Sequence, residues 1–172
     1  MELWDLYDIE GNLTGEVWER TPGSNLKIPD GRYHLVCDIL VRHKDGTYLL
    51  MKRDPNKDAY PGYWEASAGG AALSGEDPET CARRELQEET GMVADEIVDL
   101  GKMYATPGYC SEIIYMYLAR GLHHGAGNPD DGEVLQVRKM PLKKVVEMVE
   151  SGEISDAKTA IAILKTARRV GI

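Results

Sequence analysis

The segment from Gly70 to Met92 reads GAALSGEDPETCARRELQEETGM, and the rest of the chain is interpreted around it. Asp77 is a favourable helix N-cap, and Pro78 suits the first helical position because its ring fixes the backbone angle needed there. Gly91 is typical of a residue that ends a helix in the left-handed conformation. The segment therefore predicts a helix over about residues 78–90.

Three carboxylates share one face of this predicted helix. Glu85, Glu88 and Glu89 stand at positions i, i+3 and i+4, so their Cβ atoms are about 5–6 Å apart. Such a cluster repels itself unless it is compensated, either by Arg84 or by a divalent cation held by carboxylate oxygens. Mg²⁺ prefers a few carboxylates together with phosphate and water oxygens, which describes a diphosphate site. A solvated acidic helix face is the alternative that the glutamates alone leave open.

The spacing over the whole segment is more specific than its glutamates. It reads Gly-x5-Glu-x7-Arg-Glu-U-x-Glu-Glu-x-Gly-U, where the apolar positions U are Leu86 and Met92. This pattern resembles the Nudix box, with no gap and no substitution. The resemblance implies a Nudix α/β/α sandwich fold. It also implies an enzyme that uses Mg²⁺ or Mn²⁺ in the attack of water on a diphosphate linked to another group.

The same resemblance assigns roles to individual residues. Four groups would bind the metal ion, namely the carbonyl of Gly69 and the carboxylates of Glu85, Glu88 and Glu89. Arg84 would orient the glutamates, and Glu76 would hold the turn that leads into the helix. The three glutamates and Arg84 are therefore the expected catalytic residues of the box.

The flank on the carboxyl side is similar to the ADP-ribose pyrophosphatase branch. Residues 104–112 resemble its Ser-Pro-Gly…Glu loop, with Thr106 in the serine position. Residues 65–69 resemble its Glu-x-Pro-Ala-Gly motif, with Ser67 in the proline position. This likeness favours ADP-ribose or a nucleotide sugar as the substrate.

Three further candidates come from such likenesses. Glu112 would help to bind the substrate, by analogy with the ADP-ribose pyrophosphatase loop. Glu133, in an acidic loop, is a candidate general base, because a base has to reach the attacking water; a solvated turn is the alternative. Tyr109 lies 17 residues after Met92, the spacing of a tyrosine in dinucleoside-polyphosphate hydrolases, and is a candidate substrate-binding residue.

The flank on the amino side resembles a different branch, the Nudix subgroup related to isopentenyl diphosphate isomerase. The likeness rests on WDLYD at residues 4–8, LLMKR at 49–53 and PGYW at 61–64, and it makes Arg53 a candidate substrate-binding residue. The isomerase has a catalytic cysteine where this chain has Gly69, so isomerisation is not expected. Within PGYW, the two aromatic rings either stack on a nucleobase or pack within a hairpin.

Outside the box, many short strands and two further helices predict an α+β domain with a mixed sheet. Strands are expected at residues 3–9, 16–20, 33–42, 48–53, 64–70, 97–105, 112–120 and 133–139. A second helix is expected to start at Pro141 and a third to be capped by Ser155. The inward side of the third helix would carry Ala157, Ile161, Leu164 and Ala167. Residues 1–32 are expected to form an N-terminal hairpin extension, and residues 33–172 the Nudix domain.

The composition disfavours several classes of partner. The chain has 172 residues and a net charge of −9, which disfavours binding to a nucleic-acid backbone. No apolar run approaches the roughly 18–20 residues of a membrane span, and no signal peptide is recognised, so a cytoplasmic protein without a membrane partner is expected. Because isolated hairpins are marginally stable, the extension is expected to support a homodimer.

The most favoured function is hydrolysis of the diphosphate bond in a nucleoside diphosphate linked to another moiety. One alternative is a pyrophosphohydrolase of the isomerase-like subgroup, acting on dinucleoside polyphosphates or on nucleoside di- or triphosphates. A second alternative is a Nudix domain that senses its ligand without catalysis. RNA decapping is disfavoured because the chain is acidic and has no basic stripe.

Overall fold

The computed structural model describes residues 2–21, 28–53, 55–56, 60–106, 108–125 and 136–172. The strands of this part are β1 (Glu2–Tyr7), β2 (Leu13–Arg20), β3 (His34–Arg42), β4 (Tyr48–Lys52), β5 (Trp64–Glu65), β6 (Ala68–Ala71), β7 (Met92–Met103), β8 (Glu112–His124) and β9 (Gln136–Met140). The helices are α1 (Pro78–Thr90), α2 (Leu142–Glu150) and α3 (Ala157–Val170). None of these three helices is long and apolar enough to cross a membrane.

The strands form two sheets. β1 and β2 pair in antiparallel fashion as a small sheet of their own. The larger sheet has the order β5-β4-β3-β8-β7, with β6 paired to β3 and β9 paired to β4. β3 and β8 are parallel whereas the other pairs are antiparallel, so the larger sheet is mixed.

Helices cover both faces of the larger sheet because β3 is apolar on both faces. Successive side chains of a strand point to opposite faces, and a strand buried on both sides reads as a continuous apolar run. Ile39 packs in one core with Leu86 of α1. Leu40 faces the other way and packs with Val145 of α2 and Ile163 of α3. The expected α+β class, the α/β/α layers and the added N-terminal hairpin are all confirmed.

Helix α1 begins and ends where its capping residues predict. The Asp77 carboxylate accepts the backbone N–H of Thr80 at 2.7 Å, and Pro78 is the first helical residue. Gly91 has a φ of 67°, and its N–H donates to the carbonyl of Gln87 at 2.8 Å. Both caps are local interactions, which explains why the sequence alone places this helix correctly.

The expectation for the third helix is wrong in two respects. Its N-cap is Asp156 and not Ser155, because the Asp156 carboxylate accepts both the backbone N–H of Thr159 at 3.0 Å and its hydroxyl at 2.6 Å. Leu164 does not face inward, since 44% of it is exposed, and Ala157 is exposed as well. The buried side consists of Thr159, Ala162, Ile163, Thr166 and Ala167. A pattern built on apolar residues alone misses the two threonines.

Several strand boundaries also differ from the expected ones. The strand expected at 64–70 is interrupted at Ser67, which separates β5 from β6. The strand expected at 97–105 begins earlier, at Met92. The strand expected at 133–139 corresponds to β9 from residue 136 onward, and residues 133–135 lie outside the described part.

Strand β3 changes its partner halfway along, and Ser67 fills the junction. β3 pairs with β6 through Ile39 and with β4 from Val41. The Ser67 hydroxyl donates to the carbonyl of Leu49 at 2.6 Å and accepts the N–H of Val41 at 2.9 Å. The backbone N–H of Ser67 donates to the carbonyl of Ile39 at 3.0 Å. A proline, as in the ADP-ribose pyrophosphatase motif, has no N–H and could not make this last bond.

Replacing Ser67 by alanine is expected to destabilise the fold. The change leaves the N–H of Val41 without its side-chain partner, and a buried unsatisfied polar group costs about 1–3 kcal/mol. For a chain of this size that cost lowers Tm by roughly 3–10 °C. Thermal unfolding followed by circular dichroism measures the shift. Ser74→Ala, which removes only an exposed hydroxyl bonded to Asp5, is the matched control. A Ser67→Ala protein that melts together with this control would contradict the bridging role.

The small sheet is attached to the beginning of β3. Tyr7 and Tyr33 exchange two backbone hydrogen bonds, of 2.8 and 2.9 Å. The Trp4 ring stacks on the ring of His34, with the two centroids 4.3 Å apart. These contacts give the extension a defined place on the domain. The division of the chain at residue 32 and the homodimer stay predictions.

Candidate active site

Helix α1 lies against strand β6, where two consecutive glycines face its glutamates. The Glu89 carboxylate accepts the backbone N–H of Gly69 at 3.1 Å. The Glu85 carboxylate occupies the space beside Gly70 that a Cβ atom would fill. A Cβ atom on Gly69 would lie 2.6 Å from the carbonyl oxygen of Cys37 on β3. Glycine at both positions therefore allows the helix, β6 and β3 to approach one another this closely.

Arg84 holds three of the acidic side chains together. Its Nε and Nη2 donate to the two carboxylate oxygens of Glu76, at 2.7 and 3.0 Å. Its Nη1 donates to Glu85 at 2.7 Å and to Glu88 at 2.8 Å. Nη2 also donates to the carbonyl of Ala71 at 3.0 Å, which ties the cluster to β6. Because the guanidinium is planar and its donors are fixed, these contacts orient the carboxylates.

The electrostatics of the cluster follow from this arrangement. The bonds from Arg84 hold the pKa of Glu76 below its usual range. Burial raises the pKa of Glu85 above its usual range, although Arg84 opposes that shift. The bond to Glu76 is the main cause that raises the pKa of Arg84 itself. One permanent cation thus stands among three carboxylates, and the group as a whole carries negative charge.

The donor set suits a hard divalent cation by ligand type. Glu85, Glu88 and Glu89 offer carboxylate oxygens, which Mg²⁺ and Mn²⁺ prefer. In the part of the chain that the structure describes, no three His, Cys, Asp or Glu side chains converge closely enough to hold a metal ion. Arg84 holds the first two glutamates, and the N–H of Gly69 binds the third. The metal-ligand roles stay predictions.

Of the expected substrate-binding residues, Glu112 lies away from this cluster and Tyr109 is exposed. Glu112 pairs with His34 in the sheet, whereas Gly69 pairs with Asp38, four residues further along β3. Four strand residues span about 13 Å, so the structure does not bring Glu112 against Gly69. Tyr109 lies in a turn and is 89% exposed. Their roles in substrate binding stay predictions.

Of the other two candidate residues, the structure describes Arg53 but not Glu133. Arg53 directs its Nη1 to the Glu65 carboxylate at 3.0 Å, and Glu65 precedes Gly69 by four residues. Arg53 also lines a cleft of about 370 Å³ between β5 and the beginning of α3. Glu133 lies outside the described residues, so its role as a base stays a prediction.

The cleft brings in residues that the sequence does not single out. Besides Tyr63 and Trp64, its lining includes Tyr60, Asp156 and Lys158. No signal along the chain predicts this grouping, because the lining comes from two segments about a hundred residues apart.

Asp38, beside the cleft, is a buried acid that the sequence analysis missed. It is 2% exposed, and its Oδ2 has no hydrogen-bond partner among the described residues. Burial raises the pKa of Asp38 to about 7, and the positive charge of Lys158 opposes this shift. The signal in the sequence that indicates a buried acid here is the single carboxylate within the largely apolar strand HLVCDILVR.

Comparison with protein families matches residues 32–161 to the NUDIX domain. The chain is 39% identical over 95 residues to the uncharacterized Nudix hydrolase lmo0368 of Listeria monocytogenes, which covers 55% of this chain and 54% of the relative. It is 38% identical over 96 residues to the ADP-ribose pyrophosphatase of Bacillus subtilis, covering 55% of this chain and 52% of that protein. These matches span about half the length of either relative.

Two longer matches complete the comparison. The GDP-mannose pyrophosphatase of Yersinia enterocolitica is 30% identical over 183 aligned positions, covering 98% of this chain and 86% of that protein. The crystal structure of DR0079 from Deinococcus radiodurans has a TM-score of 0.66 and 25% identity, covering 98% of both chains. The motif at residues 70–92 and the fold of this chain are both consistent with these similarities. The chain belongs to the NUDIX domain family.

Proposed function

We propose that the chain hydrolyses the diphosphate bond of a nucleoside diphosphate linked to another moiety. The observation that carries the proposal is the Arg84 network, which holds Glu85 and Glu88 beside the glycines of β6. A solvated acidic helix face would not need an arginine with five separate acceptor contacts. Relatives named for the hydrolysis of ADP-ribose and GDP-mannose support the reaction class.

In the proposed reaction, water attacks one phosphorus atom of the diphosphate and the bridging P–O bond to the other phosphate breaks. The products are a nucleoside monophosphate and a phosphorylated partner. Glu85, Glu88 and Glu89 would hold a divalent cation, Mg²⁺ or Mn²⁺, with the carbonyl of Gly69 as a further ligand. Such a cation supplies charge neutralisation on the phosphate oxygens.

The protein's own contribution is to hold these acceptors in place before the substrate arrives. Arg84 fixes the rotamers of Glu85 and Glu88, and the backbone N–H of Gly69 fixes that of Glu89. Glu112 and Tyr109 are proposed as substrate contacts, and Glu133 as the general base.

ADP-ribose or a nucleotide sugar is the proposed substrate. Both the flank at residues 104–112 and the names of two relatives support this choice. The chain is further proposed to work as a homodimer in the cytoplasm. Its three cysteines are free thiols, which are typical of a reducing compartment.

The proposed activity is tested by phosphate release, after coupled phosphatase, over a panel of diphosphates. The panel contains ADP-ribose, nucleotide sugars, diadenosine polyphosphates, nucleoside di- and triphosphates, and dinucleotides. Turnover is expected with Mg²⁺, to be highest with ADP-ribose or a nucleotide sugar, and to be abolished by EDTA. A maximum with CDP or a dinucleoside polyphosphate would keep the reaction class and overturn the substrate. Tight binding of a panel member without turnover would favour a ligand sensor instead.

A further inference from the structure

Asp5 of strand β1 fastens the small sheet to the loop that leads into helix α1. One of its carboxylate oxygens accepts the hydroxyl of Ser74 at 2.6 Å, and the other accepts the backbone N–H of Gly75 at 2.8 Å. The backbone N–H of Ser74 also donates to the carbonyl of Leu3 at 2.7 Å. Both oxygens of one side chain in the extension therefore hold two consecutive residues of the box segment.

The path of β1 is irregular at this point. Asp5 pairs with Val17 of β2, and the register of the two strands shifts between Asp5 and Tyr7. Beyond the shift, Tyr7 exchanges its backbone hydrogen bonds with Tyr33. Irregularities of this kind redirect side chains and are over-represented next to active sites. The short strand thus binds the loop before α1 through Asp5 and the start of β3 through Tyr7.

The loop that Asp5 holds carries Glu76 to Arg84. The Glu76 carboxylate accepts the N–H of Leu73 at 2.9 Å, and the N–H of Glu76 donates to the carbonyl of Leu73 at 3.0 Å. These two bonds close the loop around Ser74 and Gly75. The same carboxylate accepts Nε and Nη2 of Arg84. A continuous series of hydrogen bonds therefore runs from the small sheet to the guanidinium group that orients the box.

Packing does not fix this loop, because Ser74 and Gly75 are both exposed. Segments with few buried contacts open at low free-energy cost, so their hydrogen bonds determine how well they are ordered. Bonds to an ionised acceptor such as the Asp5 carboxylate are roughly twice as strong as bonds between neutral groups. Loss of this carboxylate would leave Glu76 on a loop that is free to move.

We propose that Asp5 is a positioning residue of the active site, which acts through Glu76 on Arg84 and thereby on Glu85 and Glu88. The N-terminal extension is then part of the apparatus that orients the box glutamates. The inference rests on the proposed function for the reaction that these glutamates serve. The hydrogen bonds that it invokes can be observed without that reaction.

The side-chain Nε–H of Arg84 reports the link directly, because it donates to Glu76 at 2.7 Å. Its ¹H–¹⁵N NMR signal is recorded in the whole chain without metal and is identified by its absence from Arg84→Lys. In Asp5→Ala this signal is expected to move towards the position of a solvent-exposed arginine. The N–H of Leu73 is expected to exchange with deuterium about 10-fold faster, since its acceptor on Glu76 is no longer held in place.

Asp8→Ala is the matched control for this measurement. Asp8 belongs to the same extension, and its carboxylate also accepts two hydrogen bonds, but both come from Asn12. The Arg84 signal and the exchange of Leu73 are expected to remain as in the wild type. An Arg84 signal that is unchanged in Asp5→Ala, or that moves equally in Asp8→Ala, would overturn the proposal.

Steady-state kinetics test the consequence for the reaction. Asp5→Ala is expected to lower kcat by about 10-fold and to change KM by less than about twofold, because it displaces the box carboxylates rather than a substrate contact. Asp5→Asn keeps one acceptor oxygen and is expected to recover part of this loss, whereas Asp8→Ala keeps the kcat of the wild type. A loss confined to KM, or one shared by Asp8→Ala, would overturn the positioning role. If the wild type hydrolyses no member of the panel, the proposed function has failed, and the Arg84 signal alone decides the role of Asp5.

Discussion

Glu89→Gln is expected to lower kcat for diphosphate hydrolysis by about 10³-fold while leaving the fold intact. The glutamine has the same shape and keeps an oxygen that can accept the N–H of Gly69, so the contact between α1 and β6 survives. What it loses is the negative charge, and with it the ability to act as an anionic ligand. Interactions of a catalytic metal ion are worth several kcal/mol in the transition state, which corresponds to roughly 10²–10⁴ in rate.

The same helix offers a matched control for this variant. Glu79 is ion-paired with Arg83 at 2.7 Å, is about half exposed, and lies in the first turn of α1. Glu79→Gln removes the same charge from the same helix and is expected to keep nearly full activity, because exposed pairs contribute only about 0–1 kcal/mol. Steady-state kinetics at saturating Mg²⁺, together with Tm, separate the two cases. Loss of less than 10-fold in Glu89→Gln, or equal loss in both variants, would remove Glu89 from the set of ligands.

The features that the sequence predicts correctly depend on neighbours along the chain. Asp77 caps α1 through the N–H of Thr80, and Arg84 reaches Glu88 one helical turn later. Such interactions need only helical geometry, so a motif and its spacing are sufficient to place them. The same is true of the layered fold, because the apolar run of β3 reveals that both its faces are covered.

The features that the sequence fails to predict depend on contacts between distant segments. Ser67 occupies the junction in the sheet through bonds to Val41 and Leu49. The residues next to Ser67 in the sequence do not predict this role. Thr159 is buried because its hydroxyl accepts the N–H of Ala66, 93 residues away. Polar residues with such partners belong to the core, although a hydrophobic pattern assigns them to the surface. For this reason a hydrophobic pattern does not place Thr159 on the inward side of α3.

In the candidate site, too, the sequence predicts the contacts within one segment and does not predict the contacts between distant segments. The box glutamates and Arg84 follow from spacing, whereas the approach of Glu89 to Gly69 requires that β6 pack against α1. The cleft is a further case, since residues 53–65 and 155–158 meet only after the sheet and α3 have formed. The proposed diphosphate site can therefore be predicted from a motif, whereas the cleft cannot.

Gly70→Ala is expected to abolish most of the activity, by about 10²-fold or more, with little change in Tm. The added methyl group would overlap the Glu85 carboxylate and would meet no backbone atom so closely. A side chain can swing away at low cost to stability, but Glu85 would then leave the position in which Arg84 holds it. Displacement of a catalytic group by about 1 Å is sufficient to cost about 10²-fold in rate.

Two other glycines show whether the effect is specific. In Gly69→Ala the new methyl group would lie 2.6 Å from the carbonyl oxygen of Cys37, so the pairing of β6 with β3 has to shift and Tm is expected to fall. In Gly125→Ala the nearest atoms are 3.5 Å away, an ordinary contact, and neither Tm nor activity is expected to change. Gly70→Ala should differ from both by losing activity alone.

A double-mutant cycle identifies the residue through which Gly70→Ala acts. If the methyl group works by displacing Glu85, then a chain that already carries Glu85→Gln has little left to lose, and the two losses are strongly non-additive. Losses that multiply in the double variant would mean that the methyl group disturbs something else, such as the substrate itself. The cycle is measured as kcat on one substrate, with Gly125→Ala in place of Gly70→Ala as the control arm. Non-additivity in the cycle with Gly70→Ala, and not in the cycle with Gly125→Ala, would show that Gly70→Ala acts through Glu85.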